Sequence, residues 1–280
     1  MLLFVYLFYN LIIRKMILSK TTLIATFITI AMLAGCTSSE NEVTEGNISK
    51  YSKVPNYTIG LDISEHTVNL NLDSAWDNGV RFIFVKRSGM KNKKIDSAFK
   101  KYWNPAKEKG FIRGAYHYWY NDMSGKVQAN AFLKDLNSNE DFFVFLDLEN
   151  ESHEKTIYNV DKELLEWIKI VEDSLNRDVL IYTGEGSFSD FREISEVKNE
   201  TLKVLTSMGL WVEASNGEFP DLKKILVQNG HTWKEWKFWQ YEITKNISKW
   251  ANNVDINVFN GNIDTLKCFL SNNNRKECIK

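Results

Sequence analysis

Phe142-Phe143-Val144-Phe145-Leu146-Asp147-Leu148-Glu149 is a near-continuous apolar run that ends in two carboxylates. A short run of this kind reads as a buried strand that delivers charge only at its carboxyl end. Side chains along a strand alternate between faces, so Asp147 and Glu149 share one, separated by roughly 6 to 7 Å of strand rise. Ionised groups are costly to bury without a partner or a task, and this spacing suits acid/base chemistry. The other reading is structural: the same pair could cap a following helix or meet Lys or Arg. The motif alone does not choose between them.

Outward from this run the chain keeps one rhythm. Strand-like runs occur at Thr58–Ile63, Arg81–Lys86, Ile112–Tyr118, Phe142–Leu148, Val179–Thr183, Gly209–Glu213, Lys237–Tyr241 and Val254–Val258. Amphipathic stretches at Leu70–Asn78, Asp96–Lys109, Ser124–Leu136 and Val160–Asn176 separate the early ones. Strands alternating with helices predict an α/β parallel barrel of the TIM type, with eight strands. Helix signals fade after Thr183, where Gly, Ser and Asn accumulate, so the barrel is expected to be irregular, with fewer helices in its second half. Chemistry in such barrels sits at the carboxyl ends of the strands. That places Asp62, His117, Asp147, Glu149, Tyr182, Gln240 and Asp255 at one rim, with the eighth strand closing the ring beside the first.

Composition bounds the remaining choices. At 280 residues, 44% hydrophobic and 25% charged, the chain can form one large catalytic domain, and it is not mostly disordered. Arg14, Lys15 and Lys20 are the only charges among residues 1–35, so the rest carries 32 basic against 36 acidic residues, a net charge of −4. This body lacks the basic footprint of a nucleic-acid binder. No zinc-type Cys/His spacing or Gly-rich phosphate loop occurs, and neither metal nor cofactor is expected.

The amino terminus reads as an address. Residues 1–35 are mostly apolar and end in Leu33-Ala34-Gly35-Cys36, which resembles a bacterial lipoprotein signal with its lipobox. Cys36 would become the lipidated first residue. Asn10, Arg14 and Lys15 interrupt the segment, and a start at Met16 gives the conventional charged-then-apolar layout. An uncleaved membrane anchor over Ile17–Gly35 is the alternative. Either way the body is exported and tethered to membrane in the cell envelope. Residues 36–56 read as a flexible tether, and 57–280 as the barrel. In an oxidising compartment Cys268 and Cys278 could close a small loop by a disulfide.

Six segments together carry a family resemblance: Gly60-Leu61-Asp62-Ile63-Ser64, Gly114-Ala115-Tyr116-His117-Tyr118, Asp147-Leu148-Glu149, Ile181-Tyr182-Thr183, Trp239-Gln240-Tyr241 and Val254-Asp255-Ile256-Asn257. In this order and spacing the chain resembles glycoside hydrolase family 25, the muramidases (lysozymes) that cut peptidoglycan glycan strands. The resemblance implies an irregular eight-stranded barrel and hydrolysis of the β-1,4 bond between N-acetylmuramic acid and N-acetylglucosamine. It assigns Glu149 as general acid and Asp147 as second carboxylate, with Asp62 and Asp255 positioning water and holding the electrostatics. Of the three routes open to such hydrolysis it favours retention with help from the substrate's acetamido oxygen. Tyr116, His117, Tyr118, Tyr182, Trp211, Trp239, Gln240 and Tyr241 become candidate substrate contacts, since aromatic faces and tyrosine hydroxyls suit sugar rings. The expected partners are peptidoglycan strands and, through Cys36, a membrane; the chain is expected to be a monomer.

Three stretches depart from the family pattern. Lys86-Arg87-Ser88-Gly89-Met90 lacks the carboxylate relatives place after the second strand, Leu210-Trp211-Val212-Glu213-Ala214-Ser215 carries Glu213 in place of a small residue, and Thr67-Val68-Asn69 replaces a Trp-Gln. These bear on the glycan accepted and on rate more than on the reaction class. They also leave open a glycan-binding lipoprotein without catalysis, or a hydrolase of another N-acetylated polymer.

Overall fold

A computed structural model describes residues 56–89, 94–149, 159–184, 186–194, 196–215, 219–222, 225, 232–247 and 250–272. The leader, residues 36–55 of the tether with Cys36, and Cys278 lie outside them. Cys268 is disulfide-bonded. Among the described residues no helix is long and apolar enough to cross a membrane.

Eight strands form a closed barrel in sequential order: β1 (Thr58–Ile63), β2 (Val80–Ser88), β3 (Ile112–Tyr118), β4 (Phe143–Asp147), β5 (Val179–Gly184), β6 (Leu210–Glu213), β7 (Phe238–Ile247) and β8 (Ala251–Phe259). Helices α1 (Leu72–Asp77), α2 (Ser97–Lys109), α3 (Gly125–Leu133) and α4 (Val160–Leu175) connect the first five strands. Two more, α5 (Ser187–Ile194) and α6 (Asn199–Ser207), link β5 to β6, and α7 (Ile263–Ser271) follows β8.

Short polar side chains start these helices. Asn71, Asp96, Ser124, Asn159 and Asn262 each accept a hydrogen bond from a backbone N–H of the first turn, satisfying a donor that the helix itself cannot pair. The stretch after Thr183 holds α5 and α6, which the thinning apolar pattern did not reveal: both are short, eight and nine residues.

The expectation of an all-parallel barrel is corrected at the last strand. β7 and β8 form an antiparallel hairpin, and β8 also pairs antiparallel with β1. A hairpin needs no crossover helix, so the second half is less helical there. Because β8 runs backwards, its residues meet those of β1 in reverse order. Asp255 therefore pairs directly with Asp62 near the end of β1.

Strand alternation divides the core in two. Inward side chains are largely aromatic: Phe82 and Phe84, Phe143 and Phe145, Trp211, Phe238 and Phe259 pack together in the barrel. The Phe84 ring sits 4.4 Å from Phe145, 4.9 Å from Phe238 and 5.0 Å from Trp211, in tilted and edge-on pairs, the geometry that aromatic quadrupoles favour. Outward side chains such as Leu61, Val144, Leu146, Ile181 and Val258 are aliphatic and pack in a second layer with helix residues such as Leu164 and Val171. This plug of rings fills the barrel and leaves its polar residues at one rim.

Candidate active site

Asp147 follows Phe143 and Phe145 on the inward face of β4, as the apolar run predicts, and is buried. Glu149 lies two residues further, beyond the strand and partly exposed. The strand end is pinned by its neighbours: the Trp119 N–H donates to the Asp147 carbonyl at 3.0 Å, the Leu148 N–H donates to the Tyr182 carbonyl at 2.9 Å, and Thr183 Oγ1 donates to the Leu148 carbonyl at 2.9 Å.

Asp62 anchors the opposite side of the rim. Its Oδ2 accepts from Asn257 Nδ2 at 2.7 Å and from Gln240 Nε2 at 2.8 Å, and Gln240 Nε2 also lies 3.4 Å from Asp255 Oδ2. Gln240 Oε1 accepts from the Tyr182 hydroxyl at 2.8 Å, and Asn257 Oδ1 accepts from Trp211 Nε1 at 2.8 Å. These bonds orient both amides, so that each offers N–H groups to Asp62. Burial nevertheless raises the Asp62 carboxyl from its ordinary value to about 6, against the lowering effect of Asn257 and Gln240. Desolvation disfavours the charged form, and two neutral donors compensate only in part.

The carboxylates meet around two tyrosines. The Tyr182 hydroxyl is pushed well above its usual range by burial and then by the charges of Glu149, Asp147, Asp62 and Asp255. Burial, Asp62 and Asp147 do the same to Tyr116. Both tyrosines therefore stay protonated as hydrogen-bond donors across the physiological range. Trp211, almost fully buried, lies beneath them with its ring 4.3 Å from that of Tyr182 and 5.9 Å from that of Tyr116. Tyr118 pairs in register with Asp147 and is partly exposed, with Lys86 Nζ 5.1 Å from its ring centre.

Three of the expected substrate contacts face the other way. His117 occupies an outward position on β3, stacked on Trp167 of α4 with ring centres 5.3 Å apart. It is bonded to Ser88 Oγ at 2.8 Å and to Gln128 Oε1 at 3.0 Å. Gln128 Oε1 also accepts the Tyr120 N–H, so His117 Nε2 is the donor to Gln128 and Ser88 donates to Nδ1. Burial lowers this imidazole to about 4. Trp239 and Tyr241 likewise belong to the aliphatic outer layer, and Trp239 Nε1 donates to the Ala214 carbonyl at 3.0 Å. Strand parity accounts for all three: Tyr116, Tyr118 and Gln240 point inward, so His117 between the first two, and Trp239 and Tyr241 on either side of Gln240, cannot. Asn257, quoted in a motif but given no role, proves to be a direct ligand of Asp62; its inward parity with Asp255 was the available signal.

The departure after β2 has a local cause. The register with β3 shifts between Lys86 and Ser88, and Arg87 is buried outward, its guanidinium 4.5 Å from the Phe99 ring centre. Gly89 adopts φ +116°, and a Cβ there would lie 2.4 Å from Tyr118 Cβ. Neither the backbone nor the space admits a side chain at that position. Among the described residues no group of His, Cys, Asp and Glu is arranged to hold a metal ion.

Residues 61–250 match the model of the glycosyl hydrolases family 25. The chain is 30% identical over 221 residues to the uncharacterized protein YegX of Escherichia coli K12, covering 76% of this chain and 74% of that one. It is 26% identical over 219 residues to the N,O-diacetylmuramidase of Arthroderma benhamiae, covering 75% and 85%. The crystal structure of a bacterial lysozyme from Streptomyces coelicolor superposes with a TM-score of 0.61 at 25% identity, over 78% of this chain and 98% of that one.

Proposed function

The chain belongs to glycosyl hydrolase family 25, and on that premise we propose that it is a peptidoglycan muramidase, cleaving the β-1,4 bond between N-acetylmuramic acid and N-acetylglucosamine. The observation that carries the reading is the meeting of Asp62, Asp147, Glu149 and Asp255 around Tyr182 at one rim of the barrel.

In this reading Glu149 protonates the glycosidic oxygen as the bond breaks, its partial exposure leaving it open to substrate. Asp147, held deeper, takes the acetamido N–H and aligns the acetamido oxygen for attack on the anomeric carbon. Its charge also stabilises the positive ring that forms. Glu149 then removes a proton from water, which opens the ring intermediate with overall retention. Asp62, held near 6 and gripped by Asn257 and Gln240, fixes Gln240 and through it the Tyr182 hydroxyl. Asp255 shares the same Gln240 amide. Tyr116, Tyr118 and Tyr182 supply hydroxyls and ring faces to the glycan.

Cys36 carries lipid in this proposal, and the enzyme acts from a membrane of the cell envelope. The lipobox-like Leu33-Ala34-Gly35-Cys36 supports that reading. Cys36→Ala should move the protein from the membrane fraction to the soluble one; unchanged fractionation sinks the lipid anchor. For the reaction, the protein is incubated with purified peptidoglycan and new reducing ends on muramic acid are measured. Binding in cosedimentation without any such ends, across a broad pH and salt range, would favour the non-catalytic glycan-binding reading instead.

A further inference from the structure

Ile243 is the most exposed large apolar side chain among the described residues, at 61%. A single apolar residue on a surface means little by itself. This one stands at the candidate site. β7 and β8 pair Gln240 with Asn257 and Ile243 with Asp255, the register slipping by one residue between Gln240 and Glu242. Gln240 and Asn257 both reach Asp62, so their face of the hairpin is the one turned to the rim. Asp255 lies on that face too, two residues from Asn257 along β8 and within 3.4 Å of the same Gln240 amide. Side chains directly opposite in an antiparallel pair share a face, their Cβ atoms roughly 4.5 to 5.5 Å apart. Ile243 therefore flanks Asp255 on the rim side, open to solvent.

A β-bulge decides which side chain holds that place. In the register that runs through Gln240 and Asn257, the residue opposite Asp255 would be Glu242, and two carboxylates directly opposed repel. The extra residue instead sets Glu242 opposite Ile256, which belongs to the outer layer, and Ile243 opposite Asp255. Bulges beside active sites re-aim side chains in this way. Here the re-aiming replaces a charge with an apolar surface.

We propose that Ile243 is a specificity-determining residue that takes an apolar part of the glycan beside Asp255, either the acetamido methyl of a glucosamine unit or the C–H face of a sugar ring. The inference rests on the muramidase reading. Both partners carry C–H surface that gains by leaving water, and the exposed Ile243 side chain gains with them. Its β-branch restricts the side chain to few rotamers, so little freedom is lost when a sugar settles on it.

The test measures release of reducing ends from two peptidoglycan glycans stripped of stem peptides, one fully N-acetylated and one N-deacetylated on glucosamine. The full protein is compared with Ile243→Ala and Ile243→Val, with thermal unfolding as a check on folding. On the acetylated glycan Ile243→Ala should lower kcat/KM by about five-fold, chiefly by raising KM. Its thermal midpoint should stay near the parent's, because the side chain it truncates is already exposed. Ile243→Val keeps most of the apolar surface and should recover most of the loss. The second glycan separates the two sources: the effect of Ile243→Ala shrinks there if the methyl is the contact and persists if the ring face is. A kcat/KM within about two-fold of the parent's in Ile243→Ala, or a loss that falls on kcat alone, overturns the contact. If the parent cleaves neither glycan, the muramidase reading falls and takes the contact with it; if the parent is active and Ile243→Ala matches it, only the contact falls.

Discussion

At the scale of single residues the site is a set of carboxylates whose surroundings differ. Glu149 stands partly exposed two residues beyond the end of β4, and Asp147, the last residue of that strand, is buried. Glu149→Gln keeps shape and removes the proton donor, so cleavage of peptidoglycan should fall by about 10²- to 10⁴-fold while the thermal midpoint stays near the parent's. An active Glu149→Gln protein would take the general-acid role away from this residue. Asn257 holds Asp62 from the neighbouring strand at 2.7 Å, and that bond lowers the Asp62 pKa. In Asn257→Ala the carboxyl should titrate higher still than about 6, as read by carboxyl ¹³C NMR; an unmoved titration would mean that Asn257 does not tune it. The same substitution strands the Trp211 indole N–H and costs about 1–3 kcal/mol of stability.

At the scale of elements, the pair α3 and α4 holds the outer side of β3. Gly125 opens α3 where the helix touches α4: its N–H donates to Glu163 Oε2 at 2.7 Å, and a Cβ on it would lie 1.9 Å from the Glu163 carbonyl oxygen. Backbone cannot yield as a flexible side chain can. Gly125→Ala should therefore force the helices apart and cost about 1–3 kcal/mol or more in urea unfolding. A variant as stable as the parent would disprove the close approach. The displacement would also reach His117, whose bond to Gln128 of α3 and stack on Trp167 of α4 depend on this packing. The β7–β8 hairpin plays the corresponding part on the other wall, where it brings Gln240, Asp255 and Asn257 to Asp62 without an intervening helix.

At the scale of the whole molecule two buried groups pull the pH dependence of stability in opposite directions. Asp62 titrates near 6 in the folded chain against 3.8 as its ordinary value, so its contribution is fully present below about 3.8 and is lost as pH rises through about 6. His117 titrates near 4 against 6.5, so its contribution is present above about 6.5 and is lost as pH falls toward 4. Between about 4 and 6 the two offset each other. Asp62→Asn removes one side of the balance, and stability measured by urea unfolding should then fall more steeply from pH 6.5 to 4.5 than in the parent. Parallel profiles for the two proteins would show that Asp62 does not carry the opposing slope.

The sequence by itself determined the strand rhythm, because apolar runs such as Phe142–Leu148 can satisfy their side chains only by burial; the alternation expected to give Asp147 and Glu149 one face is local to a strand, and β4 ends at Asp147. β1 and β3 came out with the bounds the sequence predicted, Thr58–Ile63 and Ile112–Tyr118. What it left open was which face each strand turns inward. That depends on the register between strands, and it turned His117, Trp239 and Tyr241 toward the helices and Asn257 toward Asp62. The direction of β8 was equally undecided, since a strand's apolar pattern reads the same in both directions and only its pairing with β1 and β7 distinguishes them.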